Sequence, residues 1–372
     1  MAFPSGWNRR CSLTIDHTKV SADQSNFPVL FTVGNLPSEM FDADGSYPAN
    51  SDGGDIRFSS DSAGATQLPV EVVSFTRDNN PANGLAEIWV KVTSVSSTVD
   101  TVIYVWYNNS SASMPAVTDT YGRNAVWSNS FMLVWHGDGT TTLTDATGNG
   151  HTGTEFGTGS TEEDGKIGKC QNTTTYFYNS GFASNSFANP STITVEVWQS
   201  ITYYDTQRGL VGGGTAGYSC DFVLWGNGDD DQFKVNGDSN ITSFNTGVFY
   251  TSSSNWGHIT VSYDNASTTI KSYGNGAYVA QDTSWSRDIT QNRYAWKQSV
   301  DGFDTGWPGR IDEHRVSSVV RSASWISTSY NSQDSPSTFI TVGTPVPASS
   351  AKWPLLQMRN ELAYPTGTTG LR

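Results

Sequence analysis

Short runs of alternating apolar and polar residues, each closed by a turn-forming cluster, recur along the whole chain and leave little room for helices. In the first third they are CSLTI (11–15), FPVLFTV (27–33), DIRFSS (55–60), LPVEVVSF (68–75), AEIWVKV (86–92) and TVIYVWY (101–107). A period of two places every second side chain on one face of a pleated strand, and the intervening Asn, Asp, Gly, Ser and Pro clusters supply the bends. Such regular spacing predicts a sandwich or barrel. Composition agrees: 36 Gly, 16 Tyr, 17 Phe and 13 Trp stand beside only 15% charged residues, a mixture that favours pleated strands and tight turns.

At 372 residues the chain is too long for one ordinary core, and two domains are expected. The first block closes at Asn108-Asn109-Ser110-Ser111, and a Ser-, Ala- and Pro-rich connector runs to about Thr120. The boundaries read as 1–120 for the first domain, 121–341 for the second, and 342–372 for a tail. The second block repeats the strand pattern in STITVEVWQS, DFVLWG, QFKVNG, WGHITVSYD, TTIKSYGNG and GRIDEHRV, with hairpin turns at GNGDDD and YGNG.

The end of the second block departs from this pattern. In RSASWISTSYNSQDSPSTF, Ser322 precedes Trp325, Ile326 and Tyr330, which fall on roughly one helical face, and Pro336 stops continuation. A short helix is predicted here, folding its aromatic side onto a sandwich edge as a cap. From Val342 the composition turns Pro-rich without sustained period, yet Trp353, Leu355, Leu356, Met358, Leu362 and Tyr364 cluster as apolar anchors. The segment reads as an extended docking tail that orders on a partner, with a solvated linker as the alternative.

The formal charge of −14 with only 21 Lys plus Arg argues against a nucleic-acid partner and against anionic membrane surfaces. Cys11, Cys170 and Cys220 are odd in number and far apart, which suggests neither a disulfide framework nor a zinc site, and they read as small core residues. The first residues contain no apolar run of signal-peptide length, so export by the general pathway is not expected.

The stretch from Val134 to Arg321, with VWHGDGTTTLTDATGNGHTGT, DGKIGKC, STITVEVW and GRIDEHRVSSVVRSASWI, resembles the laminin G-like modules of the concanavalin A-like lectin and glucanase fold. The first block, with FPVLFTV, SDGGDIRFSS, LPVEVVSF, AEIWVKV and TVIYVWYNN, is similar to an uncharacterised β domain that often precedes such a module in bacterial surface proteins and phage tail proteins. The resemblance covers about residues 5 to 340. It implies an all-β chain of two β-sandwich domains, the second a concanavalin A-like jelly-roll, followed by the short C-terminal helix and the extended tail.

Fold alone does not fix function. The glucanases of this fold carry an ExDxxE strand, which is missing here. Asp312 and Glu313 are adjacent, so on a regular strand they point to opposite faces. There is no GxSxG elbow, and His17, His136, His151, His258 and His314 are scattered, reading as hydrogen-bonded sheet residues more readily than as bases. The chain is therefore not expected to be an enzyme.

The resemblance also implies calcium at the sandwich rim, with Asp145 in TDATGNGH, the neighbouring Asn149 and Asp312 of the last strand as oxygen ligands. The alternative is that Asp145 caps its own turn. A second binding signal is aromatic. Residues 282–309 carry Trp285, Tyr294, Trp296 and Trp307 among Arg, Asp and Asn side chains, equipment for stacking on sugar rings as well as for core packing.

Three functions compete: a phage virion component such as a tail or head fibre that touches a host glycan, a bacterial surface or secreted carbohydrate-binding adhesin, and a glycan-degrading enzyme. The N-terminal reading favours the first, assembled in the host cytoplasm into the virion. Its expected partners are other virion proteins, further copies of itself and a cell-surface glycan.

Overall fold

The computed structural model describes residues 3–139, 142–154, 160–173, 179–180, 187–188, 191–201, 208–215, 219–227, 230–237, 240–245, 255–283, 290–291, 293–296 and 309–348. It is an all-β structure whose strands form antiparallel sheets, with short helices at Arg123–Val126, Ala323–Asp334 and Pro336–Phe339 among the described residues.

The first domain is a sandwich. One sheet runs Ile340–Val342, Arg9–Ile15, Thr101–Tyr107, Arg57–Ser59 and Gln67–Leu68, and the other places Leu85–Val95 between Gln24–Thr32 and Val70–Thr76. Alternation explains the pairing of the layers. Leu13, Ile15, Ile103, Val105 and Phe58 of one sheet and Val29, Phe31, Ile88 and Val90 of the other are fully or almost fully buried. The ring centroids of Phe31 and Phe58 lie 4.9 Å apart. Cys11 sits in this core, and burial pushes its thiol up to about 11, as for an inert packing residue.

The second domain is built on an eight-stranded antiparallel sheet. Its path is Ser160–Asp164, Lys169–Thr173, Gly309–Ser317, Thr192–Ile201, Gly257–Asp264, Thr269–Gly274 and Ala277–Asp282, and Phe131–Trp135 also pairs with Gly309–Ser317. A second sheet of six strands runs Asn179–Ser180, Arg293–Trp296, Arg208–Thr215, Ser219–Asn227, Asp230–Gly237 and Asn240–Asn245.

Two features differ from the sequence reading. Residues 342–347, expected to open the extended tail, belong to the first domain: Leu13 pairs with Val342 and Arg10 with Val346. The strand Arg9–Ile15 would otherwise present an unpaired edge, and the returning chain satisfies its N–H and C=O groups. Trp353, Leu355, Leu356 and Tyr364 lie outside the described residues.

The helix Ala323–Asp334 forms as predicted, with the Ser322 hydroxyl capping the Trp325 N–H at 3.1 Å. Its position is more than a cap. Trp325 meets Phe27 of the first domain edge-on at 4.7 Å, while Tyr330 stacks on Trp198 of the second at 5.6 Å. Gln333 accepts the Trp198 indole N–H at 2.8 Å. The helix is therefore wedged between the domains, and Trp127, Phe131, Trp325 and Ile326 join one continuous apolar cluster with the first sandwich.

Candidate functional site

The strand Leu85–Val95 would show polar residues on its outward face if that face met water. Instead Ala86, Glu87, Ile88, Trp89 and Val90 are all buried. Ile88 and Val90 fill the sandwich core, and Glu87 and Trp89 fill the seam with the second domain. Glu71 on Val70–Thr76 is buried in the same seam. The connector returns along this sheet, the Tyr121 carbonyl accepting the Val70 N–H at 3.0 Å, and delivers Trp127, whose indole donates to Glu71 Oε2 at 2.5 Å.

The second domain supplies the opposite wall. His136 follows the end of Phe131–Trp135, and Glu313 and Arg315 stand on Gly309–Ser317. A bulge interrupts that strand between the partners of Glu196 and Trp198, and Glu313 adopts a left-handed φ of 49°. This conformation is uncommon outside Gly, Asn and Asp and breaks the expected alternation. Asp312 and Glu313 are both fully buried, and both lie within electrostatic reach of Glu87.

At the centre, His136 Nδ1 is 2.8 Å from Glu313 Oε1 and 3.2 Å from Glu87 Oε1, while Nε2 is 3.2 Å from Glu71 Oε2. Arg315 donates to Glu313 Oε2 at 2.5 Å, and its guanidinium lies 4.1 Å from the Trp89 ring centroid and 5.0 Å from that of Trp127. The Trp89 indole donates to Glu87 Oε1 at 3.2 Å.

Electrostatics follow from this packing. Burial opposes the imidazolium of His136, but Glu313 and Glu71 on its two sides hold it well above the ordinary 6.5. Burial pushes Glu87 up to about 8, with His136 opposing and Glu313 reinforcing the rise. Glu313 goes the other way: despite burial, His136 and Arg315 hold it down at about 2. Asp312 is raised well above 3.8, first by burial and then by Glu313 and Glu87. The buried carboxyls are thus driven apart: Glu313 is lowered despite its burial by His136 and Arg315, while burial raises Glu87 and Asp312.

A cleft of roughly 220 Å³ opens on this cluster and is lined by Glu71, Met114, Arg123, His136, Asp138 and neighbouring apolar residues. On the other side the Gly165–Gly168 turn closes over the carboxylates. A Cβ at Gly168 would fall 2.1 Å from Glu87 Oε2, and one at Gly165 would fall 2.5 Å from Asp312 Oδ2. The DGKIGKC motif is glycine-rich because the backbone must approach these side chains. The imidazole faces carboxyl groups at both nitrogens, so neither nitrogen is free to serve as a general base toward a substrate.

The three residues read as calcium ligands each hold groups of the protein itself. Asp145 is buried, and its carboxylate takes the N–H groups of Thr147 and His151 at 3.0 Å each and the Thr147 hydroxyl at 2.7 Å. That is the turn-capping geometry. The Asn149 amide donates to the Phe131 and Met132 carbonyls, and Asp312 Oδ2 accepts the Ile167 N–H at 2.9 Å. Trp285 and Trp307 lie outside the described residues, as do the side chains of Tyr294 and Trp296 on Arg293–Trp296.

Sequence reasoning passed over Glu71, Glu87 and Arg315 because each sits at an ordinary polar position of an alternating strand. The available signal was weak: an Asp-Glu pair on the last strand together with one Glu on each of two neighbouring strands of the other domain.

Comparison with known proteins agrees with this architecture. Residues 171–327 match the family described as the concanavalin A-like lectin/glucanases superfamily, of laminin G type, and residues 52–122 match a domain of unknown function, DUF2341. The chain therefore carries a concanavalin A-like, laminin G-type module preceded by a DUF2341 domain. None of the curated proteins matches the chain.

Among solved structures, domain 4 of AbnA, an extracellular GH43 arabinanase from Geobacillus stearothermophilus in complex with arabinotriose, is 23% identical with a TM-score of 0.44, covering 54% of this chain and 98% of that one. The binding domain of Paraclostridial Mosquitocidal Protein 1 is 16% identical with a TM-score of 0.44, covering 55% and 52%. A Trypanosoma rangeli sialidase with the inhibitor DANA is 12% identical with a TM-score of 0.46, covering 68% and 42%. This chain thus spans about half or less of the latter two proteins.

Proposed function

We propose that the chain is a non-enzymatic recognition protein whose laminin G-type module binds carbohydrate and whose first sandwich serves as its mount. The observation that carries this reading is the concanavalin A-like module itself, matched over 171–327 and joined to the first domain through a common apolar cluster and the wedged helix. A rigid mount suits recognition, because a rim held by packed sheets binds without reorganising. Among the described residues the seam carboxylates are locked to His136, Arg315 and Trp indoles, which supports binding over hydrolysis.

The finer reading is a structural component of a phage virion, a tail or head fibre or decoration, presenting the module to a host surface and assembling with copies of itself. Its support is the order of an uncharacterised β domain followed by the module, together with an acidic chain of net charge −14. Many weak glycan contacts on an oligomer would add through avidity.

A glycan array probed with the full chain, with and without calcium, tests the recognition claim. Binding to a defined set of glycans is expected, and no binding under either condition would leave an architectural role. Release of reducing sugar from a bound glycan would overturn the non-enzymatic reading. Detection of the chain in purified particles by mass spectrometry tests the virion assignment; its absence there and presence on a bacterial surface would replace it with an adhesin.

A further inference from the structure

We propose that Glu87, His136 and Glu313 form a site for one divalent first-row transition-metal ion at the seam between the two domains, with Glu71 orienting the imidazole from behind. The three ligand atoms lie within 4.8 Å of one another, and His136 Nδ1 stands 2.8 and 3.2 Å from the two facing carboxylate oxygens. Ligands bound tetrahedrally at about 2.0–2.2 Å to a common ion sit about 3.3–3.6 Å apart, so the ion needs an outward adjustment of groups already converging.

The imidazole is polarised for this role. Nε2 faces Glu71 Oε2 at 3.2 Å, leaving Nδ1 directed at Glu87 and Glu313. A carboxylate on the far nitrogen fixes the tautomer and raises the basicity of the ligating one, as metal-bound histidines generally require. Three buried carboxyl groups, from Glu71, Glu87 and Glu313, surround the one imidazole, and a divalent ion would displace the protons this group otherwise shares.

A separate observation comes from Asp312. It is fully buried, and its Oδ2 is held by the Ile167 N–H, but its Oδ1 has no hydrogen-bond partner. That oxygen lies 3.4 Å from where a Cβ would stand on Gly137, the residue after His136, and the carboxyl senses both Glu87 and Glu313. This is an unsatisfied buried oxygen in the same seam, on the residue preceding Glu313. The cleft bordered by His136 and Glu71 reaches the Glu71 side of the imidazole. One nitrogen with carboxylate oxygens selects ions of the zinc type over calcium, which takes six to eight oxygens.

The test uses the full chain stripped with chelator, then titrated with zinc chloride by calorimetry, with metal content measured after desalting and cobalt(II) absorption recorded as a coordination signature. One ion per chain is expected, together with cobalt d–d bands. Glu87→Gln should weaken zinc by more than about 100-fold and Glu71→Gln by about 10- to 100-fold. Glu87→Gln keeps a neutral hydrogen-bonding group opposite Glu313, so its unfolding midpoint in EDTA should stay near that of the parent, separating lost binding from lost folding. Failure of the parent chain to bind zinc, or equal affinity in both variants, overturns the assignment. Neither outcome bears on glycan recognition.

Discussion

Replacing His136 by Gln in the metal-free chain removes the cation at the centre of the seam and leaves its neighbours in place. Glu71 keeps the Trp127 indole and Glu313 keeps Arg315, but both lose their contact with the imidazole. Breaking a buried ion pair in this way costs about 3–5 kcal/mol, because the remaining charge has been stripped of water without compensation. In the parent, His136 held above 6.5 adds stability as pH falls toward 6.5, while an orphaned carboxylate in the variant takes up a proton over the same direction of change, so the two pH dependences oppose each other in the difference and the deficit is read at one pH. Urea unfolding of parent and variant in EDTA at pH 7.5, followed by tryptophan fluorescence, reads it. A deficit below about 1 kcal/mol would refute the reasoning.

Trp325→Ala empties the wedge between the domains, where the ring meets Phe27 at 4.7 Å and Arg321 lies 4.1 Å from its centroid; a loss of about 3–5 kcal/mol is expected in chemical denaturation. An unchanged midpoint would show that the helix does not bear on the seam. Gly168→Ala puts a Cβ 2.1 Å from Glu87 Oε2 at a φ of 50°, so about 1–2 kcal/mol of backbone strain adds to displacement of that carboxyl, and a neutral result in thermal unfolding would contradict the close approach. Glu87, raised from 4.5 to about 8, contributes stability that is complete below about 4.5 and lost as pH rises through about 8, and His136, held above 6.5, acts in the same direction. Glu313, depressed from 4.5 to about 2, contributes above 4.5 and loses that contribution as pH falls through about 2. The urea midpoint of the metal-free chain should therefore fall between pH 6 and pH 9, and a flat or rising profile would count against the cluster.

Strand identity was legible because alternation belongs to each strand alone. CSLTI, FPVLFTV and TVIYVWY carry their inward faces in their own order, and Leu13, Val29 and Val105 are buried where that order puts them. Helix and cap at Ser322 were legible for the same local reason, since a hydroxyl reaches only its own first turn. The seam was not. AEIWVKV reads as a strand with one wet face, yet Glu87 and Trp89 are buried because another domain covers that face.

Nothing within ten residues of Glu71, Glu87 or His136 announces the others. His136 meets Glu71 across a sequence separation of 65 residues and Glu313 across 177. The chain's own order determined that it would make sheets, how many layers those sheets could bury, where it would turn, and that it would carry a laminin G-type module. Only tertiary structure decided that the last strands return to the first domain, that a helix divides its faces between two bodies, and that acids from both converge on one imidazole. Periodicity records what each segment buries, whereas partners distant in sequence are chosen by which surfaces the folded layers bring face to face.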